Sequence, residues 1–349
     1  MAKLALVLAV AAFFASLFSW GFRRLPGESW QFIAAVPQVR KKGEGWRAVN
    51  LTFYGFFNAS ACIFSCGVVL FLMGSLGVPF VVTLTVLMIL LAICYPASRL
   101  VASIVEKKKH TYTIGGASFV GFLILPWLIQ LFNLLVGPGV APIPLAPMLG
   151  AVAIGYAFGE AFGRMACISF GCCYGKLISQ TPRAAQRIFG RFCFVFSGET
   201  KKVAYESGLT GMPLVPIQAV TAVVSATAGL IGLWCFLNAQ WTAAVLIPTG
   251  ATQLWRAFSE TLRADYRGGG RISTYQIMAL VAFVYSVAVL LIVESAATTT
   301  PDLTAGLRGL MTAKAIVVLE ALWLAVFMYL GRSSVTSSDL SFHVVKERV

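Results

Sequence analysis

Charge is what this chain has least of. Only 11% of its 349 residues are charged, 58% are hydrophobic, and the mean hydropathy is +0.83. A soluble globular domain carries about 25% charged and 45–50% apolar residues, so a water-soluble globular protein is excluded. Acidic residues are the scarcest, 13 Asp and Glu against 27 Lys and Arg, for a formal net charge of +14. That surplus does not point to nucleic acid. The basic residues sit between apolar runs, where they set membrane topology or meet anionic head groups. Repeats of solenoid length and low-complexity tracts are also missing. The eight cysteines do not form a secreted disulfide framework. Cys62, Cys66, Cys94 and Cys235 lie inside apolar runs and act as small hydrophobes, while Cys167, Cys172, Cys173 and Cys193 gather around one segment. The N-terminal stretch lacks an A-x-A cleavage site, is too long for a signal peptide, and is followed directly by Arg23 and Arg24. It reads as an uncleaved spanning helix.

Long apolar runs are what the chain has in abundance. Nine are long enough to span a bilayer: 2–22, 50–73, 78–99, 114–136, 147–168, 214–237, 242–262, 272–293 and 310–330. Each span needs about 20 residues. The expectation is an all-α polytopic membrane protein of about nine transmembrane helices, with a small extramembrane cap over 171–213. Gly-Pro-rich or glycine-rich connections at 137–146 and 266–271 mark turns. The Ser-rich, charged tail 331–349 is expected to be mobile. Alternating the connections places 21 Lys or Arg on one side and only Lys3 and Arg308 on the other. The positive-inside rule then puts the basic side in the cytoplasm, the N-terminus outside and the C-terminus inside a bacterial-type inner membrane.

Charges inside spans need an explanation, because each costs about 2.5–3.5 kcal/mol on insertion scales. In the fifth span Glu160 and Arg164 stand four apart on one helix face; in the seventh, Arg256 and Glu260 do the same, with Arg263 three further on. Salt bridges that only hold the bundle together are one reading. The other is an anion site, since arginine donates paired hydrogen bonds to phosphate oxygens. A neighbouring glutamate would orient the guanidinium or accept a proton. TIGGASFVG (113–121), with Gly115 and Gly116, allows close backbone approach at the start of the fourth span. FGCCYG (170–175) ends the fifth span in a glycine-flanked turn that includes Gly175 and offers backbone N–H groups to an oxyanion.

The run GRMACISFGCCYGK (163–176) resembles the signature of the prolipoprotein diacylglyceryl transferase family, which moves diacylglyceryl from phosphatidylglycerol to a lipobox cysteine. Arg256, Glu260 and Arg263 resemble its late Arg–Glu–Arg pattern, and RISTYQIMAL (271–280) the helix start that follows. FYGFF (53–57), with Tyr54, is similar to its early Tyr-Gly motif, SRL (98–100), with Arg99, to a helix-ending arginine, and VPIQAV (215–220) to its His-Pro-x-Gln-Leu-Tyr-Glu motif. The resemblance covers 50–293, leaving 1–49 and 294–349 as an extra helix with a basic loop and an extra helix with a tail. Departures concentrate in one half of the site. Ile114 replaces the histidine that serves the family as base, Val215, Val220 and Thr221 replace its histidine, tyrosine and glutamate, and Cys167 and Cys172 stand for asparagine and glutamate.

Two functions are therefore expected as alternatives. The first is a transferase with a phosphatidylglycerol-like donor: Arg164 and Arg256 hold the phosphate, Glu160 and Glu260 orient them, Tyr54 donates to the lipid, and Arg99, Gly115, Gly116, Gly175 and Arg263 complete the lipid site. His110 is the nearest replacement for the missing base. The acceptor is a lipobox cysteine or a cytosol-side nucleophile. The second is a lipid-binding or lipid-moving protein that kept the head-group site and lost the base. No cofactor is expected. No metal is expected either, because the C-x4-C-C spacing lacks a standard zinc pattern.

Overall fold

The computed structural model describes residues 1–41, 45–107, 112–136, 141–266, 272–292 and 300–349. The chain opens with α1 (Ala2–Arg24), then strands β1 (Phe32–Arg40) and β2 (Trp46–Thr52), followed by α2 (Phe53–Gly74), α3 (Phe80–Val105), α4 (Ile114–Leu135) and α5 (Leu145–Phe170). The cap holds α6 (Arg183–Phe189), β3 (Phe194–Val195), α7 (Lys202–Ser207) and β4 (Pro213–Leu214). Then come α8 (Ile217–Leu237), α9 (Trp241–Ser259), α10 (Thr274–Ile292), α11 (Leu303–Leu310), α12 (Ala313–Leu330) and β5 (Arg332–Leu340). Among the described residues, eight helices are long and apolar enough to cross a membrane. The protein is an all-α polytopic membrane protein.

The ninth expected span is α9, and it differs from the others. It matches them in length but carries Thr249, Thr252, Gln253 and Arg256 on its buried surface. Lipid does not tolerate such groups unless they face protein, and α9 is packed against α5, α8 and α10. The bundle's axis is α5, whose apolar window is 72% buried, against 11% for α1 and 6% for α12. Its run of Gly and Ala lets α2, α8 and α9 come close, the usual way helices pack without a hydrophobic drive between them. Meanwhile α3 and α4 form a hairpin that leans on α10 and touches α2 and α5 only lightly.

The tail departs from expectation. Instead of being mobile throughout, residues 332–340 form β5, which pairs antiparallel with β2, itself paired with β1. The Asn50 side chain accepts from Ser338 Oγ at 2.6 Å and donates to Thr336 Oγ1 at 3.2 Å across the seam. Ser-Thr-rich residues show no apolar alternation, so nothing local marks this strand; its ladder is supplied by a segment nearly 300 residues away. The two chain ends are further locked where α12 stops against the start of α2. A Cβ on Gly55 would stand 2.1 Å from the Gly331 Cα, so only glycine fits.

The cap is fastened to the bundle by a buried lysine. Lys201 is fully buried and its Nζ donates to the carbonyls of Ser169 at 2.5 Å and Leu25 at 3.2 Å, tying the ends of α5 and α1 together. Gln31 and Thr200 exchange two hydrogen bonds of 2.8 Å beside it. Cap, β-sheet, the 260–266 turn and the start of α10 therefore share one end of the bundle. The Ser75 carbonyl, bonded by Asp302 N–H, and Asn238, bonded by Lys3, mark the other.

Burial pulls the Lys201 ammonium from 10.5 down to about 8, against the opposing pull of Glu28. Between those values the unfolded chain holds a proton that the folded one has released, so stability must rise with pH across that window. The melting temperature of detergent-solubilised protein is expected to climb from pH 8 toward 10.5 more steeply than that of Lys201→Met. Parallel curves for the two proteins would refute it.

Candidate anion site and apolar cavity

The core of the site is one carboxylate held by two guanidinium groups. Arg164, one turn after Glu160 on α5, donates Nη2 to Glu160 Oε1 at 2.5 Å; Arg256 reaches across from α9 and donates Nη2 to the same oxygen at 2.5 Å. Glu160 Oε2 accepts from Ser225 Oγ of α8 at 3.3 Å, and Arg256 also reaches the Tyr156 hydroxyl at 2.6 Å. The three charged side chains are only 2–10% exposed. Two positive charges and one negative leave the group with a net charge of +1. The Nε atoms of Arg164 and Arg256 are buried and have no hydrogen-bond partner among the described residues. A buried donor without a partner costs about 1–3 kcal/mol, more when charged.

Glu160, not Glu260, is thus the carboxylate that both arginines share. Glu260 follows α9 in a single 3-10 turn and stands 3.5 Å from Arg263. Arg263 in turn makes a two-pronged contact with Asp265, Nε to Oδ1 at 2.8 Å and Nη2 to Oδ2. Sequence reasoning missed Asp265, which sits in a short polar turn. It also missed Tyr156, although that residue lies one turn before Glu160 on the same helix face, a spacing that was available to find it.

Three separate sequence motifs meet at the end of α5. Gly171, in the left-handed region at φ 72°, ends the helix and its N–H bonds the Cys167 carbonyl. The turn beyond it runs between two other segments: Lys176 N–H donates to Leu262 O at 2.9 Å, Ala264 N–H to Tyr174 O at 3.1 Å, and Val215 N–H to Lys176 O at 3.0 Å. A Cβ on Gly175 would lie 2.4 Å from the Val215 carbonyl oxygen, which explains the glycine. Gln218 Nε2 donates to the Cys172 carbonyl at 2.9 Å, and Thr221, where the resemblance leads one to expect glutamate, accepts from Trp255 Nε1 at 2.9 Å. Cys167, Cys172 and Cys173 have their Sγ atoms within 4.8 Å of one another.

Two cavities flank Glu160. A small polar one is lined by Glu160, Arg164, Arg256, Glu260, Arg263 and Cys173. A large one of about 690 Å³ fills the gap between the α3–α4 hairpin and α2, α5 and α12. Its wall is Leu, Val, Met and Cys side chains, with Tyr54, Tyr156 and Glu160 as its main polar groups toward α5. It extends to Tyr95, where Tyr112 and Tyr329 share a hydroxyl hydrogen bond of 2.7 Å at its rim. Tyr54 lies against Phe170, ring centroids 5.3 Å apart. Ile114 lines the same cavity; Arg99 is exposed on α3 and lines neither. His110 lies outside the described residues.

Gly115 and Gly116 also find their reason here. A Cβ on Gly115 would be 3.1 Å from Arg256 Nη1 and 3.0 Å from the Tyr275 ring, and one on Gly116 would be 2.6 Å from Val101. Gly115 seats α4 directly on the arginine, and Gly116 seats it on α3. Gly115→Ala is expected to destabilise the protein by about 1–3 kcal/mol through overpacking. That cost should shrink in an Arg256→Ala background, because the two positions are in contact. Equal costs in both backgrounds, read as melting temperatures, would separate the glycine from the arginine.

Comparison with protein-family models, curated proteins and solved structures gives no match to this chain.

Proposed function

We propose that the chain is a membrane-embedded transferase that takes diacylglyceryl from a phosphatidylglycerol-like phospholipid. One observation carries this reading: Arg164 and Arg256 lie behind Glu160, each with a buried Nε that has no partner among the described residues, and Glu160 also lines the large apolar cavity. A phospholipid has this polarity profile, with an anionic phosphate at one end and acyl chains at the other. The cavity has the volume of a small-molecule site, a class that spans about 300–1,000 Å³. Its apolar wall is suited to an acyl chain.

In the reaction, the acceptor's electron pair forms a bond to the glycerol carbon that carries the phosphate ester oxygen. The carbon–oxygen bond breaks, its electrons stay on oxygen, and glycerol phosphate leaves. Arg164 and Arg256 stabilise the growing charge on that leaving group in a site that water barely enters. Glu160 holds both guanidiniums in place until the phosphate arrives. Tyr54 donates to the lipid from the cavity wall. The acceptor's proton goes to a base, for which His110 is the candidate.

A second reading has a specific observation in its favour: Ile114, which stands at the position of the family's base, lines the large cavity. A protein that binds or moves anionic lipid needs the arginines and the cavity but no base. Purified protein given labelled phosphatidylglycerol distinguishes the two, because only the transferase releases glycerol phosphate. Arg164→Ala and Arg256→Ala are each expected to lower turnover by about 100-fold or more, with the protein still inserted. Lysine at either position should rescue poorly, since it lacks the planar fork. Full turnover in either alanine variant would remove the arginines from the reaction.

The orientation follows from the 21-to-2 division of loop Lys and Arg. The end of the bundle that carries the cap faces the cytoplasm, and the acceptor is then a cytosol-side nucleophile rather than an exported lipobox cysteine. Ser179 is exposed on the cap. Ser179→Cys is expected to resist a membrane-impermeant thiol reagent in intact cells and to react in opened ones. Labelling of intact cells would reverse the orientation and restore the lipobox acceptor.

A further inference from the structure

The thiols at the end of α5 serve no step of the proposed reaction, yet the fold brings three of them to one point. Cys167 belongs to the last turn of α5, and the left-handed Gly171 folds the chain back so that Cys172 returns over it. Neighbouring residues in extended chain point to opposite faces, which ordinarily keeps adjacent cysteines from one ion. Here Cys173 has φ 56°, a left-handed conformation rare for a residue with a side chain, and all three Sγ atoms lie within 4.8 Å of one another. Strain of this kind costs about 1–3 kcal/mol and persists where the surrounding structure demands it.

We propose that Cys167, Cys172 and Cys173 form a three-coordinate thiolate site for a soft monovalent metal ion of the Cu(I) type. The proposal rests on the thiol geometry and not on the lipid reading, although the two share Arg164 and the small polar cavity. Thiolates select Cu(I) and zinc among the common metals. Structural zinc takes four protein ligands. Among the described residues no further Cys, His, Asp or Glu joins this group, so the donor set is three sulfurs and nothing more. Binding releases the thiol protons to water. Three thiolates around one monovalent ion leave two negative charges, and the setting suits them, since Arg164 and Arg263 lie within electrostatic reach of Cys173, and Lys202 of Cys172 and Cys173. Cys173 also lines the small polar cavity.

The test uses the full chain in detergent, reduced and oxygen-free, with Cu(I) supplied from a chromophoric chelator. One equivalent per chain should transfer to the protein, and excess Zn(II) should not displace it. Cys172→Ser and Cys173→Ser should each lose that equivalent. Because a serine variant can fail to fold, the unaltered chain is also alkylated with and without Cu(I) and its cysteines mapped by mass spectrometry. Protection of Cys167, Cys172 and Cys173 supports the site. No uptake, displacement by Zn(II), retention in both variants, or protection confined to Cys62 and Cys66 would overturn it.

Discussion

The contact on which the bundle most depends is the one between Glu160 and its two arginines. Each of these charges is costly in the membrane, and the three side chains are only 2–10% exposed. Removing Glu160 would cost about 3–5 kcal/mol, because both guanidinium charges would be stranded. The group also binds three helices at a single point: α5 supplies Glu160 and Arg164, α9 supplies Arg256, and α8 supplies the Ser225 hydroxyl. Around it the constraints are mutual. Gly115 lets α4 approach because Arg256 fills the space a side chain would need, and Arg256 is held there partly by the Tyr156 hydroxyl.

This arrangement explains why the least apolar of the long helices is not on the outside. The polar face of α9 carries the residues that lipid excludes, and α5, α8 and α10 cover it. The least buried spans, α1 and α12, sit at the periphery, and α12 carries one exposed carboxylate, Glu320, on that surface. The α3–α4 hairpin is an intermediate case. It is held by α10 and stands away from α2 and α5, and that separation is the large cavity. A closely packed bundle would have had no room beside Glu160. The stand-off converts a structural ion cluster into one with an apolar chamber in front of it and a polar pocket behind.

The end of α5 shows how much chain distance the site bridges. Residues near 174, 215, 218 and 263 are joined there by backbone hydrogen bonds and one glutamine side chain. Segments that the resemblance picked out separately, 163–176, 215–220 and 256–263, are parts of a single junction. The junction accounts for Gly175 by close approach alone. The cysteines grouped beside it are a product of the same turn, since Gly171 and Cys173 both adopt left-handed backbone to form it.

Membrane class, the helical spans, the cap and the segregation of basic residues to alternate connections were all legible in the sequence, because they rest on local composition: an apolar run of sufficient length has nowhere to go but lipid. The i,i+4 pairing of Glu160 with Arg164 was legible for the same reason, since helical spacing alone sets it. What pairs across helices was not. Arg256 was expected to answer to Glu260 in its own helix and instead answers to Glu160, nearly 100 residues away, because the register between α5 and α9 decides which carboxylate is nearest. β5 was invisible for a related reason: a Ser-rich strand has no apolar pattern of its own and exists only because β2 offers a ladder. The two cavities, the meeting of three thiols and the withdrawal of Arg99 from the site likewise belong to tertiary structure. Each depends on how far apart helices settle and how a turn is wound, and side-chain volumes at several distant contacts, acting together, fix both.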